Sequence, residues 1–217
     1  MGLKRRKVGQ IPAKANVEKQ EEFLKNELEP KLQEAKEGKR QVYFIDASHF
    51  VLAAFLGYLW SFTRIFIKSP SGRQRYNVLG ALNAITLDLV TVTNDAYINA
   101  LSVIELMRKI IDRCGGLIPI TLVLDNAKYQ KCSAVAEYAR EKGIELLYLP
   151  TYSPNLNLIE RLWKFVKKDC LYCKYYDSFS KFKDSINNCL DEIGKKHKED
   201  MKSLMTLKFQ TFKQPQL

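Results

Sequence analysis

The sequence lacks a hydrophobic run long enough to cross a lipid bilayer. Its longest apolar stretch, FVLAAFLGYLW at 50–60, has eleven residues, whereas a membrane-spanning helix needs about 20. No apolar segment follows the basic start MGLKRRKVGQ, so a signal peptide is excluded. Arg6 departs from the pattern that directs myristoylation. We therefore expect a soluble, cytoplasmic protein without a membrane partner.

Cysteine and histidine are scarce. The five cysteines, at 114, 132, 170, 173 and 189, are odd in number and irregularly spaced, which is typical of reduced thiols rather than of a disulfide framework. Cys170 and Cys173 form a C-x-x-C pair, but a zinc site needs further ligands, and the only histidines are His49 and His197. A lone pair of this kind is weak evidence for zinc.

Acidic residues are outnumbered by basic ones, 24 to 35, which gives a formal net charge of +11 and a sequence pI near 9.3. This balance favours an anionic partner, and nucleic acid is the commonest one. The alternative is that the basic surface serves solubility alone. Hydrophobic residues make up 46% of the 217 positions. This fraction predicts a packed core and excludes wholesale disorder. The length predicts one domain, or one domain with appendages.

The pattern of apolar residues predicts strands first and alternating strands and helices later. A helix over 16–37, capped by Asn16, kinked or divided at Pro30 and stopped by Gly38, comes before the first strand. Strands are predicted at 41–50, 58–68, 77–85, 87–94, 118–125 and 144–150, and helices at 96–116, 129–143, 155–171 and within 177–217. Successive strands favour an antiparallel meander, and the later alternation favours parallel pairing. The prediction is an α/β fold, a mixed sheet with helices on both faces.

Two of the predicted strands end in a carboxylate. The segment VYFID ends at Asp46, and TLVLD ends at Asp125. If these strands are neighbours in the parallel part of the sheet, both carboxylates emerge at one edge. Like charges in that position raise each other's pKa unless a cation lies between them. A hard divalent metal bound through oxygen atoms, with Mg²⁺ as the natural candidate, resolves the conflict.

A third acid, Glu160, lies on the helix that follows LPTYSPN. It shares the polar face of that helix with Lys164, Lys167 and Lys168. One interpretation makes it the third ligand of the metal site. The other makes it half of an ordinary surface pair with Lys164, which stabilises a helix by about 0.3–0.5 kcal/mol. Helical periodicity alone favours the surface pair.

Several polar and aromatic neighbours are candidates for auxiliary roles. Asn126 is placed to orient a metal ligand or touch a phosphate, or else to cap the next helix. His49 and Asp46 point to opposite faces of a strand, which favours packing or a hydrogen bond for His49 over direct ligation. Asn157 is a better candidate for a helix N-cap than for a substrate contact. Trp163 lies on the packing face of its helix, which favours a core position over stacking on DNA.

Four segments occur together in an order that resembles a known family. They are FIDASHF (44–50), IKSPSGRQRYNVLGAL (67–82), LVLDNAKYQ (122–130) and LPTYSPNLNLIERLWKFVKK (149–168), and 34 residues separate Asp125 from Glu160. This pattern resembles DDE transposases of the bacterial insertion-sequence branch of the mariner superfamily. The resemblance covers roughly residues 11–195.

The resemblance implies an RNase H-like fold, a mixed five-stranded sheet with helices on both faces. It assigns the catalytic and metal-binding acids to Asp46, Asp125 and Glu160. These would hold two Mg²⁺ ions, with Mn²⁺ as a substitute, for hydrolysis of phosphodiester bonds at the element ends. The freed 3′-hydroxyl would then attack target DNA at TA dinucleotides, so no covalent enzyme intermediate is needed.

The resemblance also implies DNA partners, namely terminal inverted repeats and target DNA, and a homodimer in the bacterial cytoplasm. The side chains that we expect to contact DNA are Lys4, Arg5, Arg6, Lys7, Lys128, Lys164, Lys167 and Lys168. The expected divisions are a basic arm and linker helix at 1–40, the catalytic domain at 41–175 and a helical extension at 176–217.

Full-length members of this family carry helix-turn-helix modules before the catalytic domain, and this chain starts inside what resembles the linker. A second reading-frame product, a decayed copy and an engineered fragment all fit that start. An alternative function is therefore a non-catalytic DNA-binding or dimerising fragment that regulates a full-length transposase. A generic ribonuclease H is a third, weaker hypothesis.

Overall fold

A mixed five-stranded β-sheet lies at the centre of the computed structural model, which describes residues 12–53, 60–68, 74–115 and 118–211. The strands are β1 (Gln41–Val51), β2 (Arg75–Asn83), β3 (Leu89–Asn94), β4 (Ile120–Leu124) and β5 (Ile144–Tyr148). Their order in the sheet is β3-β2-β1-β4-β5. The β1–β2 and β2–β3 pairs are antiparallel, and the β1–β4 and β4–β5 pairs are parallel. The predicted α/β class is confirmed.

Helices precede, connect and follow the strands. They are α1 (Val17–Phe23), α2 (Glu29–Lys36), α3 (Ala100–Cys114), α4 (Ser133–Glu141), α5 (Ile159–Leu171), α6 (Phe179–Glu192) and α7 (Lys198–Leu204). A π-helical turn, Leu24–Leu28, joins α1 to α2 just before Pro30, which has no N–H to donate to the preceding turn. Asn16 caps α1 as predicted, because its Oδ1 accepts a hydrogen bond from the Lys19 backbone N–H at 2.9 Å.

The strand predicted at 58–68 is wrong over residues 60–68, which are irregular; residues 58–59 lie outside the described part. The alternating aromatic pattern there is that of a strand, but Trp60 and Phe62 are fully exposed. The reason lies in the pairing. β1 continues to Val51, which lies opposite Arg75 at the start of β2, so the two strands pair directly along their length.

Each face of the sheet has its own hydrophobic core. Alternation along β1 sends Val42 and Phe44 to one face and Tyr43 and Ile45 to the other. The first face is covered by α1, α2, α5, α6 and α7, and the second by α3 and α4. Residues from 17–36 and 179–205 share one core with the sheet, while the predicted division at 40 and 175 stays a prediction. None of the helices in the described ranges has the length and apolar character needed to cross a membrane.

The parallel pairing of β1 with β4 brings two acids to one edge of the sheet. The ladder ends at the pair Phe44–Val123, and Asp46 and Asp125 each lie two residues beyond it. Asp46 does not end its strand, contrary to the simplest interpretation of VYFID. β1 leaves β4 after Phe44 but continues against β2 as far as Val51. This divergence leaves room for a cavity at the sheet edge.

Candidate active site

The three acids predicted from the sequence line one cavity of about 370 Å³ at this edge of the sheet. Asp46 comes from β1, Asp125 directly follows β4, and Glu160 lies in the first turn of α5. The N-terminal end of a helix carries partial positive charge, which favours a carboxylate in that turn. The i,i+4 ion pairs among the described residues are Glu105–Lys109, Asp177–Lys181 and Glu192–Lys196. The surface pair between Glu160 and Lys164 is therefore not formed.

Asp46 lies in surroundings that disfavour the ionised form of its carboxyl group. Its pKa is raised from the ordinary value of 3.8 to about 7, chiefly by burial and then by the Glu160 and Asp125 carboxylates. The Ala47 backbone N–H and the Trp163 indole act in the opposite direction and lower it. Near neutral pH, the protonated and ionised forms of Asp46 are therefore both populated. A cation in the cavity would favour the ionised form.

Asp125 and Asn126 are held by hydrogen bonds at the end of β4. The Asp125 Oδ1 atom accepts from the Ala127 backbone N–H at 3.1 Å, which fixes one carboxylate oxygen. The Asn126 Nδ2 atom donates to the Leu149 carbonyl at 2.6 Å and ties the end of β4 to the end of β5. The helix-cap interpretation of Asn126 is wrong, because α4 begins at Ser133 with Cys132 in the cap position. Asn126 lines the cavity instead.

Asn157 is not the N-cap that the sequence predicted. A 3₁₀ turn at Pro154–Leu156 delays the start of α5, so Leu158 occupies the cap position. The Asn157 Nδ2 atom instead donates to the Ile45 carbonyl at 3.2 Å, which ties the start of α5 to β1 beside Asp46. Its Oδ1 atom is buried without a hydrogen-bond partner, and the residue lines the cavity. A buried amide oxygen in this state is available to a ligand.

His49 lies outside the lining of this cavity. It is exposed on the far part of β1, and its Nδ1 atom is 2.6 Å from Asn77 Oδ1 on β2. This is the hydrogen-bonding role that the geometry of a strand predicts for it.

Trp163 and Gly80 pack together next to Asp46. Trp163 is buried in the core, 2% exposed, as predicted. Gly80 lies opposite Asp46 in the β1–β2 ladder, and a Cβ atom at this position would be 2.8 Å from the indole Cη2 atom of Trp163. The absence of a side chain at Gly80 therefore lets the indole approach the strand.

The indole Nε1–H of Trp163 has no hydrogen-bond partner at standard distance and angle. It nevertheless lies close enough to the Asp46 carboxylate to lower the pKa of that group. The two observations agree if the N–H points toward the Asp46 carboxylate at a distance or angle outside the standard hydrogen-bond range.

Tyr129 was missed in the sequence. Burial and then the Asp125 and Asp46 carboxylates raise the pKa of its phenol well above the usual value. It is therefore a neutral phenol near the acids. Tyr129 lies four residues after Asp125 in the segment LVLDNAKYQ, and this proximity was the sign in the sequence that it lies near the acids.

The basic residues predicted to contact DNA are only partly described. Lys4, Arg5, Arg6 and Lys7 lie outside the described residues. Lys128, Lys164 and Lys168 are exposed, and Lys167 is half-buried with its Nζ atom 5.9 Å from the centre of the Phe50 ring. These four lysines do not line the cavity, so their contact with DNA stays a prediction.

The donor set of the cavity suits a hard divalent cation. It combines three carboxylates with the unpartnered amide oxygen of Asn157, and oxygen ligands of this kind are those that Mg²⁺ and Mn²⁺ prefer. The raised pKa of Asp46 shows that the cluster is unfavourable as three free anions. The residues present therefore fit a bound divalent metal.

The sheet order and the helices on both faces define an RNase H-like fold. Solved structures with this fold are similar over nearly the whole chain. The Mos1 transposase paired-end complex with left transposon end has a TM-score of 0.60 and 13% identity, over 95% of this chain and 68% of that one. The Mos1 transposase catalytic domain with raltegravir and Mn has a TM-score of 0.54 and 15% identity, over 92% of this chain and all of that one. At these identities the likeness is one of fold.

The family follows from the sequence of the same region. The model of the DDE superfamily endonuclease family matches residues 41–183, well over half of the chain, and the chain belongs to this family. The insertion element IS630 uncharacterized 39 kDa protein of Shigella sonnei is 28% identical over 99 residues. That alignment covers 45% of this chain and 29% of the length of the relative.

Proposed function

We propose that this chain performs the phosphodiester chemistry of DNA transposition, in which DNA is hydrolysed at element ends and the freed 3′-hydroxyl is transferred to target DNA. One observation carries the proposal: Asp46, Asp125 and Glu160, far apart in the sequence, line one cavity in a DDE superfamily endonuclease domain. The similar protein of Shigella sonnei belongs to an insertion element, and the Mos1 structures include a strand transfer complex. Both relatives support transposition over unrelated nuclease functions.

The proposed cofactor is a pair of Mg²⁺ ions held by the three carboxylates, with Mn²⁺ as a substitute. Bound divalent ions of this kind activate water and neutralise the leaving oxygen. Asp46 would lose its remaining proton on metal binding, because its pKa without metal is about 7. Asn126, fixed by its bond to the Leu149 carbonyl, would keep the adjacent Asp125 carboxylate in position. The free amide oxygen of Asn157 would accept a hydrogen bond from substrate or water.

The proposed macromolecular partners are terminal inverted repeats, target DNA and a second copy of the chain. The net charge of +11 and the exposed lysines at 128, 164 and 168 support binding to the phosphate backbone. Trp60, Phe62 and Phe66 are exposed apolar side chains within one short segment, and we propose that this segment contributes to dimerisation, since exposed apolar surface often marks interfaces. The Mos1 relative is a paired-end complex, which is consistent with a dimer that holds two DNA ends.

A non-catalytic regulator that binds DNA or dimerises with a transposase is the second candidate. A protein that only binds DNA has no need of three converging carboxylates, and keeping Asp46 partly ionised in a buried site is unfavourable. The geometry therefore favours the enzyme. Cleavage of RNA–DNA hybrids without strand transfer would instead support a ribonuclease H.

Nicking of supercoiled plasmid DNA tests the proposal. We expect the wild-type chain to nick with Mg²⁺ or Mn²⁺ and not with EDTA, and Asp125→Asn to lose the activity because one metal-binding oxygen is replaced by an amide nitrogen. Asp112→Asn, which removes an exposed carboxylate on α3, is the matched control and should nick like wild type. Equal nicking by wild type and Asp125→Asn, or no nicking with either metal, would refute catalysis by this chain.

A further inference from the structure

A second group of metal-ligand side chains lies at the opposite end of α5 from Glu160. Asp169 in the last turn of α5, Cys189 in α6 and His197 just before α7 each place one ligand atom within 4.8 Å of the other two. Asp169 is nine residues after Glu160, about 13 Å along the helix axis. The cluster is therefore separate from the three-carboxylate cavity.

The two stronger ligands of this cluster are buried. Cys189 is 4% exposed and His197 is 9% exposed. The His197 Nε2 atom lies 4.0 Å from Glu192 Oε2, and its Nδ1 atom lies 3.7 Å from Asp200 Oδ2. Both separations exceed hydrogen-bond distance. The imidazole therefore makes no close side-chain hydrogen bond in the described part of the chain and is available to a ligand.

Packing holds the imidazole in place. The His197 ring packs edge-on against Phe165 of α5, with 5.0 Å between ring centres. Asp169, by contrast, is exposed, so its carboxylate is free to rotate toward a ligand. A solvent-open cavity of about 380 Å³ lies beside the cluster and is lined by Asp169, Cys189 and Glu192 among others. An ion from solvent therefore has a path to the cluster.

We propose that Asp169, Cys189 and His197 form a zinc site. Thiolate and imidazole ligands select Zn²⁺ over Mg²⁺ or Ca²⁺, which bind oxygen ligands. Zinc bonds of about 2.0–2.3 Å place tetrahedral ligands about 3.3–3.8 Å apart, so the cluster must close by about 1 Å relative to the 4.8 Å limit. Rotation of the exposed Asp169 side chain supplies part of that movement.

Neighbouring groups complete the coordination. Glu192 lines the adjoining cavity and would supply the fourth ligand, an oxygen, directly or through water. Asp200 Oδ2, 3.7 Å from Nδ1 of His197, would accept the ring N–H after a small movement while Nε2 binds the ion, which is the usual arrangement around a zinc-bound histidine. The contact with the Cys170 thiol and then burial raise the pKa of the Cys189 thiol, so this thiol gives up its proton to solvent only when the metal binds.

The C-x-x-C pair noted in the sequence is not the origin of this site. Cys173 is exposed and follows α5 with a left-handed backbone, φ 57°. The proposed zinc instead joins the end of α5 to α6 and to the turn before α7. Because α5 begins next to Glu160, the metal would brace the helix that carries the third acid of the cavity.

Cobalt substitution tests the proposal in an Asp125→Asn background that weakens metal binding in the carboxylate cavity. Reduced, metal-stripped protein in excess Mg²⁺ is titrated with Co²⁺. We expect one equivalent to bind with thiolate-to-cobalt charge-transfer absorption and tetrahedral visible bands. Cys189→Ser and His197→Gln should lose these bands, and the matched control Cys173→Ser should keep them. Absence of the bands in the parent protein, or their persistence in Cys189→Ser, would overturn the proposal.

Two measurements avoid dependence on variants that fail to fold. Zinc at about 100 times its dissociation constant should raise the melting temperature of the parent protein by about 5–10 °C. Alkylation of Cys189, which is 4% exposed, requires local unfolding, so zinc should slow it in the intact chain while leaving the rate for the exposed Cys173 unchanged, as measured by mass spectrometry. An unchanged melting temperature or equal alkylation of Cys189 with and without zinc would contradict the site.

Discussion

Replacing Asp46 with asparagine should stabilise the metal-free protein at pH 8. Asp46 has a pKa of about 7 in the folded chain against an ordinary value of 3.8. The folded state therefore binds its proton more tightly than the unfolded state does. The stability that this proton gives is complete below about pH 4 and is lost as the pH rises through about 7. At pH 8 the folded protein carries an unfavourable buried charge that Asp46→Asn removes.

The raised pKa sets the size of the effect. A rise from 3.8 to about 7 corresponds to at most about 4 kcal/mol. We expect a gain of about 2–4 kcal/mol in the free energy of unfolding of Asp46→Asn at pH 8, because the amide keeps the shape but still loses solvation. Near pH 4 the difference should be small. Urea unfolding in EDTA at both pH values measures it, with Asp112→Asn as the control.

Metal should offset most of this difference in stability. Mg²⁺ or Mn²⁺ at about 100 times the dissociation constant would stabilise the wild-type chain by about 2.7 kcal/mol and Asp46→Asn by much less, since one ligand is missing. If Asp46→Asn is no more stable than wild type at pH 8 in EDTA, the ionised Asp46 carboxylate does not destabilise the metal-free folded chain, contrary to what its raised pKa indicates.

Three further predictions concern the surroundings of the cavity and the DNA surface. Gly80→Ala places a Cβ atom 2.8 Å from the Trp163 indole. We expect the free energy of unfolding in urea to fall by about 1–3 kcal/mol and plasmid nicking to decrease. Unchanged stability and nicking would contradict the close packing. Trp163→Phe removes the indole N–H that lowers the pKa of Asp46, so the pH of half-maximal Mn²⁺ binding should rise, and a fixed midpoint would exclude that contact. Lys164→Gln should reduce the dependence of DNA affinity on log salt concentration by about one without changing Mn²⁺ binding, and an unchanged salt slope would remove Lys164 from the DNA surface.

The sheet and the convergence of the acids were predictable from the sequence. Apolar runs of strand length end in Asp46 and Asp125, and parallel strands bring such ends to one edge. The sequence did not show that the β1–β4 ladder stops at Phe44 and Val123, because register depends on tertiary packing. That register is what places both acids two residues beyond the last pair. The position of Glu160 in the first turn of α5 then supplies the third carboxylate.

The wrong predictions have causes in the tertiary structure. Residues 60–68 alternate like a strand, but the direct pairing of β1 with β2 leaves them unpaired with either strand. Asn157 has the residue type of an N-cap, yet a 3₁₀ turn moves the helix start and redirects its amide to Ile45. Local propensity cannot reveal either outcome, because both depend on residues distant in the sequence. Gly80, within the otherwise apolar segment VLGAL (78–82), was the sign in the sequence of a close approach between strand and helix.

The proposed zinc site could not be predicted from local sequence either. Cys189 and His197 are eight positions apart on either side of a helix end, and Asp169 lies on another helix. Their spacing matches no simple ligand motif, whereas the visible C-x-x-C pair leaves Cys173 exposed. Only the packing of α6 against α5 brings the three ligand atoms together.

Anomalous scattering of manganese, in crystals of the wild-type chain grown with Mn²⁺, would locate any ion in the cavity. We expect two manganese peaks between the carboxylates of Asp46, Asp125 and Glu160, and the loss of both peaks in Asp125→Asn. An absence of peaks in this cavity, or Glu160 oxygens too far from Asp46 and Asp125 to share an ion, would contradict the proposed metal site.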